Sequence, residues 1–495
     1  MSTMPTHTPQ QQYRFGELLI GGKWRHGSAG TVTQDVDPYT EKLLLDIPNA
    51  GESDIVEAFT VATRAQRDWA NALPGERAKV LREAARIMDQ RHAEIVDWLI
   101  RESGSTRMKA ELEFSAVHSI VLEASTLPTR VFGRLMPCDI PGKENRVYRE
   151  PVGVVSVISP WNWPLHLSSR VTAPALALGN VVVLKPARET IVTGGLLLGK
   201  LFEEAGLPPG VLSVVSGDNQ VIGDPFVLNS ASRVISFTGS TAVGRRIASL
   251  AATGPVLKKA QLELGGNNPL VVLDDADIEL AVDLAVVARF LHQGQICVSA
   301  NRIIVDGRIF DRFVDAFVER VKSLKYGNPD ASDTVIGPLV SRRQLSSVMG
   351  IVKQAIEQGA IQHVGGAPEG LVVPPHVFTG IGADVQLGKD EIFGPIAPVI
   401  RAADEADALR IANDTEFGLT GAVVTRNVDR GAHFASQVQA GMTHVNDVTA
   451  VDLANMPFGG EKNSGLGRFG AEGVIDELTT EHWISVQHTR RQFPF

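Results

Sequence analysis

From Pro151 onward the chain repeats one pattern: a short apolar strand rich in β-branched residues, a loop, a helical stretch, then another strand. The strands are Val154-Val155-Ser156-Val157-Ile158, Val181-Val182-Val183-Leu184, Val211-Leu212-Ser213-Val214-Val215 and Val234-Ile235-Ser236-Phe237. Near-continuous apolar runs do not suit a sheet with one wet face, so they predict a parallel sheet covered by helices on both faces. A second series starts at Pro269-Leu270-Val271-Val272-Leu273, passes through Arg302-Ile303-Ile304-Val305 and a helix from Ile309 to Leu324, and ends near Val445. The fold class read from this is α/β, with two doubly wound parallel-sheet units. Ligands of such sheets bind at the carboxyl ends of the strands, and that is where chemistry is to be sought.

The first 127 residues read differently. Residues 17–24 form a hairpin turning at Gly21-Gly22. A helix follows, capped by Ser53 or Asp54, with Ile55, Ala58, Phe59, Ala62, Ala65 and Trp69 on one stripe. A second helix begins after Pro74-Gly75, and a third runs from His92 to Arg101. At the far end His482-Trp483-Ile484-Ser485-Val486 is a last strand, suited to pairing outside its own domain. There is no internal repeat or low-complexity tract.

At 53.2 kDa the chain is too long for one simple core. Its net charge of −9, with lysine and arginine scattered, builds no basic face for nucleic acid. The most apolar stretch, Val171 to Leu184, is broken by Pro174 and Gly179-Asn180 and too short for a bilayer. Met1 to Gln12 lacks the apolar core of a signal peptide. Two cysteines, Cys138 and Cys297, make no disulfide framework, and no Cys/His cluster has zinc-ligand spacing, so no metal is expected. A reducing cytoplasm is the expected location.

Cys297 closes His292-Gln293-Gly294-Gln295-Ile296-Cys297, and Glu263 lies 34 residues upstream in Gln261-Leu262-Glu263-Leu264-Gly265-Gly266-Asn267. A thiolate attacks electrophilic carbon, and a carboxylate can activate the water that releases what the thiol captured. The strand ending at Ile158 runs into Ser159-Pro160-Trp161-Asn162-Trp163-Pro164. There the Asn162 amide suits an oxyanion, although an asparagine beside two prolines also suits a plain turn. The next strand ends in Lys185-Pro186-Ala187-Arg188, where a lysine can meet a ribose hydroxyl or phosphate, or simply solvent. The fourth runs into Thr238-Gly239-Ser240-Thr241 and a helix whose free N–H groups attract pyrophosphate. No convincing G-x-G-x-x-G follows a strand. Glu391-Ile392-Phe393-Gly394-Pro395 offers a carboxylate for hydroxyls and a ring beside a planar base.

Taken in this order, Asn162, Lys185, Gly239, Glu263, Cys297, Glu391 and Phe393 resemble the NAD(P)-dependent aldehyde dehydrogenase superfamily, over nearly the whole chain. The resemblance implies Cys297 as nucleophile, Glu263 as base and Asn162 as oxyanion donor. It implies an NAD or NADP site formed by Ile158, Trp161, Lys185, Arg188, Gly239, Ser240, Leu264, Gly265, Glu391 and Phe393. A small-molecule aldehyde is the expected partner. His-Gln-Gly-Gln-Ile-Cys at the nucleophile, and Phe469 where the family commonly has glutamate, are similar to the benzaldehyde and vanillin dehydrogenase branch. Trp163, Leu167 and Arg170 recur at helical spacing, a stripe that suits core packing or a pocket wall. With Ile296, Val298 and Phe458 they form the expected substrate pocket, where Arg170 or His166 would meet ring oxygens. Arg188 stands where the family commonly has glutamate; an arginine there either binds a 2′-phosphate, so that NADP serves alongside NAD, or points into solvent.

The implied organisation is a cofactor domain from 1–127 and 148–261 with part of 463–478, a catalytic domain over 262–462, and a small β oligomerisation arm from 128–147 and 479–495. That arm predicts a homodimer or homotetramer. Two competing readings remain: an aliphatic aldehyde or semialdehyde dehydrogenase, and a Cys/His hydrolase built on Cys297 and His292.

Overall fold

In the computed structural model, which describes residues 12–495 except 383, 384 and 471, two parallel sheets dominate. The leader reading of Met1 to Gln12 therefore falls, through residue 11, outside the described residues. The first sheet has eight strands. Its parallel centre runs Leu212–Val214, Val181–Lys185, Val154–Ile158, Ser232–Thr238 and Lys259–Glu263 in spatial order. The hairpin of Leu18–Ile20 and Lys23–Arg25 closes one edge antiparallel, and Gly465–Leu466 closes the other.

The second sheet has seven strands, in the order Ile361–Val364, His376–Thr379, Ile396–Ala402, Ala300–Asp306, Asn268–Val272, Thr420–Val424 and Met442–Val445. All of its pairings are parallel except that of Ile361–Val364. Alternate residues feed separate cores: Leu270, Val272, Ile303 and Val305 pack in one, and Val271, Leu273, Ile304 and Val423 in another. The first sheet divides likewise, Val234 on one side and Ile235 with Phe237 on the other. That double covering is why both faces of each strand had to be apolar.

A third, three-stranded antiparallel sheet stands apart, with Lys143–Pro151 between Arg134–Met136 and Thr479–Gln487. The last strand is an edge, and Trp483 on it is 63% exposed.

The local readings of the first domain shift slightly. The first helix is Glu52–Asn71 with Gly51 as its cap residue, so neither Ser53 nor Asp54 caps it. Asp54 sits at the third helical position instead, and its carboxylate accepts the Gly51 N–H at 2.8 Å and the Ser28 N–H at 2.7 Å. An acid at the third helical position reaches back to the N–H of the cap residue, the reciprocal half of a capping arrangement, and so resembles a cap residue in the sequence. The second helix includes Pro74 as its first residue, where its missing N–H costs nothing. The third runs to Ser103 and stops at Gly104, whose φ of 66° is the left-handed conformation glycine tolerates.

Candidate active site

The strands Val154–Ile158, Ser232–Thr238 and Lys259–Glu263 end side by side, and the functional side chains sit on or just past those ends. Glu263 is fully buried and opposite Thr238 in the parallel ladder. Its Oε2 accepts from Thr238 Oγ1 at 3.1 Å and pairs with Arg170 Nη2. Its Oε1 lies 3.1 Å from Cys297 Sγ, so the thiol donates to the carboxylate. Burial, then the Glu263 carboxylate beside it, pushes the Cys297 thiol well up from its ordinary range. Burial thus favours the neutral thiol, which stands in hydrogen-bond contact with the Glu263 carboxylate.

The segment before Cys297 is held in an unusual backbone. His292, Gln293 and Gly294 all have positive φ, at 50°, 59° and 71°. For the two non-glycine residues such a conformation costs about 1–3 kcal/mol each unless its surroundings impose it. They do. Gln293 Nε2 donates to the carbonyls of Gly104 at 3.1 Å and Pro338 at 2.8 Å. The buried Arg289 guanidinium donates to the carbonyls of Gly294, Ile392 and Gly394, tying the nucleophile loop to the 391–394 loop. Glycine is required at 265 and 266: a Cβ would stand 2.5 Å from Glu391 Oε2 at the first and 2.3 Å from the Cys297 carbonyl at the second.

Two cavities meet at Cys297 and Asn162, which line both. Asn162 is buried, and its Nδ2 donates to the Gln295 carbonyl at 2.9 Å. An amide nitrogen has two protons, so this bond fixes the group and leaves a second donor. The first cavity, about 240 Å³, holds all six expected pocket residues, Trp163, Leu167, Arg170, Ile296, Val298 and Phe458, together with Glu263. Its wall is mainly apolar. Its charged groups are spent on one another: Arg170 Nη1 meets Asp452 at 2.9 Å while Nη2 meets Glu263, and His166 Nε2 faces Asp452 at 3.1 Å. Two of the Arg170 nitrogens are thus occupied by carboxylates, while Arg170 Nε and both His166 ring nitrogens have no hydrogen-bond partner among the described residues. Against the upward push of burial, Arg170 and His166 hold Asp452 down to about 2. The ring centroids of Phe458 and Phe469 lie 4.3 and 4.5 Å from the Arg170 guanidinium carbon, so both rings stand in cation–π range of it.

The second cavity, about 310 Å³, takes in Trp161, Gly239, Ser240, Leu264, Gly265, Glu391 and Phe393 from the expected cofactor set. Ile158, Lys185 and Arg188 are not on its wall. Ile158 and Lys185 pair at the adjoining strand ends, and Arg188 is exposed three residues on. The residues present suit a dinucleotide. The helix Thr241–Thr253 starts at the cavity edge without a side-chain cap, leaving its first N–H groups for an anion. The buried Lys185 ammonium has a neutral acceptor, Asn219 Oδ1 at 2.5 Å, and burial pushes it down to about 8. Glu391 accepts the Gly266 N–H at 2.9 Å, and burial raises it to about 7. Trp161 and Phe393 meet edge to face, 5.8 Å between centroids.

The sequence did not single out Leu112, Ala116 and Asp452 in the first cavity, or Arg343, Gln344 and Ser347 in the second. No motif marks them; they arrive from helices and loops whose sequence spacing looks like ordinary surface. His292 lines neither cavity, and the thiol's hydrogen bond goes to Glu263.

The aldehyde dehydrogenase family profile matches residues 24–484. A vanillin dehydrogenase of Corynebacterium glutamicum is 47% identical over 471 residues, covering 95% of this chain and 97% of that protein. The crystal structure of an NAD-dependent benzaldehyde dehydrogenase from Corynebacterium glutamicum superposes with a TM-score of 0.89 at 44% identity, over 97% of this chain and 98% of that one. A salicylaldehyde dehydrogenase from Pseudomonas putida G7, complexed with salicylaldehyde, superposes with a TM-score of 0.94 at 36% identity, over 97% and 99% of the two chains.

Proposed function

This chain belongs to the aldehyde dehydrogenase family, and from that premise we propose that it oxidises an aromatic aldehyde, benzaldehyde- or vanillin-like, to the carboxylic acid with NAD or NADP. One observation carries the reading: the Cys297 thiol stands where an apolar cavity and a dinucleotide-compatible cavity meet, with Glu263 on the apolar side.

Glu263, already in contact with the thiol, takes its proton as Cys297 Sγ bonds to the aldehyde carbon. The carbonyl oxygen becomes an oxyanion facing the second Asn162 N–H, a preorganised donor that costs no rearrangement when charge develops. The product of this addition is a thiohemiacetal on Cys297. NAD(P), when bound, supplies the hydride acceptor that turns this adduct into a thioester; Ser240, Glu391, Lys185 and the aromatic pair Trp161–Phe393 would hold it. Glu263 gives up the thiol's proton to solvent and then takes one from water as the water oxygen attacks the thioester carbon. The tetrahedral adduct collapses, the C–S bond breaks to release the acid, and the Glu263 proton passes to the departing sulfur to restore the Cys297 thiol.

Aromatic aldehydes suit the apolar wall of Trp163, Leu167, Ile296, Val298 and Phe458. Acidic semialdehydes do not, because the one arginine on that wall is already committed to Glu263 and Asp452. The named relatives act on vanillin, benzaldehyde and salicylaldehyde, which points the same way. NADP is proposed alongside NAD because an arginine at position 188, just past the strand end that carries Lys185, suits a 2′-phosphate. We also propose that the three-stranded arm, with its exposed edge strand Thr479–Gln487, joins copies of the chain into a dimer or tetramer.

The test is nicotinamide reduction with benzaldehyde, vanillin, propanal and succinate semialdehyde, each with NAD and NADP. Higher kcat/KM for the two aromatic aldehydes is expected. Preference for propanal or the semialdehyde would overturn the aromatic assignment, and no reduction with any of the four would overturn the activity.

A further inference from the structure

One fully buried ion pair lies beside the site without lining either cavity. Lys109 and Glu113, one turn apart on the helix Arg107–Ala124, are both 0% exposed and paired to each other. Burying two full charges is a poor way to gain stability, since an apolar pair of the same volume does as well or better. What distinguishes this pair is where its remaining hydrogen bonds go. Lys109 Nζ donates to the Asn162 carbonyl at 2.9 Å and lies 4.7 Å from the Trp163 ring centroid. Glu113 Oε1 accepts the N–H of Leu165 at 2.9 Å and of His166 at 3.1 Å. Among the described residues, the remaining hydrogen bonds of the two side chains thus fall on residues 162–166, the turn that carries the Asn162 amide into the junction of the cavities.

We infer that Lys109 and Glu113 are positioning residues for the oxyanion donor: the pair grips the 162–166 turn from both sides and sets where the Asn162 amide points. The backbone of that turn has little else to define it. Asn162 precedes Trp163 at φ −126° and ψ 66°, outside helix and strand, and Trp163 enters the helix Pro164–Ala177 with no side-chain cap. Glu113 supplies that missing cap from another helix, taking two of the orphan N–H groups. Lys109 fixes the carbonyl of Asn162 itself. Residue 162 is then held at two points: its backbone carbonyl by Lys109 and its side-chain Nδ2 by the Gln295 carbonyl.

This inference rests on the aldehyde-oxidation reading above, and its test separates the two. The variant is Lys109→Met/Glu113→Gln, which removes both charges together and keeps an acceptor for the Leu165 and His166 N–H groups, so the fold is expected to survive. It is compared with Asn162→Ala and with the triple variant, using the best aldehyde of the panel. We expect kcat of the pair variant to fall about 10–100-fold, as loss of alignment does. KM for aldehyde and dinucleotide is expected to stay within about threefold, because neither substituted residue lines a cavity. The triple variant is expected to be no slower than Asn162→Ala, because a residue acting through Asn162 has nothing left to act through.

Wild-type kcat in the folded pair variant would overturn the inference. So would a triple variant slower than Asn162→Ala by the full factor seen in the pair variant. If Asn162→Ala itself keeps wild-type kcat, the oxyanion assignment falls and takes this inference with it; if Asn162→Ala is impaired while the pair is silent, only the inference falls. Should the pair variant not accumulate, Glu113→Gln alone replaces it in the same cycle, with the same outcomes supporting or overturning the inference.

Discussion

Replacing Arg170 by methionine is the sharpest perturbation of the charge arrangement in the substrate cavity. Arg170 is 3% exposed, and its guanidinium joins Glu263, fully buried, to Asp452, whose side chain is 19% exposed. Methionine keeps contact with the rings of Phe458 and Phe469 but strands two carboxylates. Removing one partner of a buried pair costs about 3–5 kcal/mol, because the charge left behind is uncompensated. Loss of the cation–ring contacts adds about 0.5–1 kcal/mol. A total of about 3.5–6 kcal/mol lowers the melting temperature by roughly 3–6 °C, because the unfolding entropy of a 495-residue chain is about 1 kcal/mol per kelvin. Glu263 also loses one of the groups that hold it, leaving Thr238 and the Cys297 thiol, so kcat falls at least about tenfold, within the range general-base contributions span. The assay is thermal denaturation beside steady-state turnover for wild type, Arg170→Met and Arg170→Met/Asp452→Asn. The double variant removes one stranded charge and recovers at least about 1 kcal/mol of the loss. A single variant melting within about 2 °C of wild type, or a double variant less stable than the single, would refute the reasoning.

Three further outcomes follow from the same geometry. Glu391 gains its charge as pH rises through about 7 and Lys185 loses its own above about 8, so NAD(P) binds most tightly between those values; Glu391→Gln removes the acid limb and Lys185→Met the alkaline limb, whereas a flat dissociation constant from wild type across that window contradicts both placements. Arg188→Ser raises KM for NADP at least about tenfold and leaves NAD nearly unchanged, the loss of a charge-assisted phosphate contact being worth about 1.5–3 kcal/mol; equal effects on both cofactors would place Arg188 away from the 2′ position. Light scattering gives a dimer or tetramer, and Trp483→Asp on the exposed edge strand shifts it toward monomer, while a monomeric wild type would remove the arm from any assembly role.

Much of this was legible in the sequence, for a physical reason. A strand buried on both faces must be apolar at every position, so Val154–Ile158 and Val181–Lys185 announce a parallel sheet without help from their neighbours. Cysteine at 297 and glutamate at 263 stand in short glycine-bearing segments whose chemistry is unusual for their composition. Other parts were written in a form that sequence spacing cannot decode. Lys109 and Glu113, four apart on a helix, look like a solvated surface pair; only the packing of the Pro164–Ala177 helix against them makes them buried. Asp452 sits in a loop with no distinguishing neighbours, yet it shares Arg170 with the base. Arg343, Gln344 and Ser347 reach the cofactor cavity from a helix some fifty residues beyond the nucleophile. Those partnerships depend on how elements cross in space, which periodicity does not carry.

The central claim is that Cys297 carries the substrate as a thioester that Glu263 releases. Glu263→Gln, mixed with an aromatic aldehyde and NAD, quenched and analysed by intact mass and peptide mapping, tests it directly. The account predicts one reduced nicotinamide per site and one acyl group on Cys297, formed more slowly than in wild type because Glu263 also takes the thiol proton, then persisting on Cys297, and both absent in Cys297→Ala/Glu263→Gln. Reduced nicotinamide formed without an adduct, or an adduct on another residue, would contradict it.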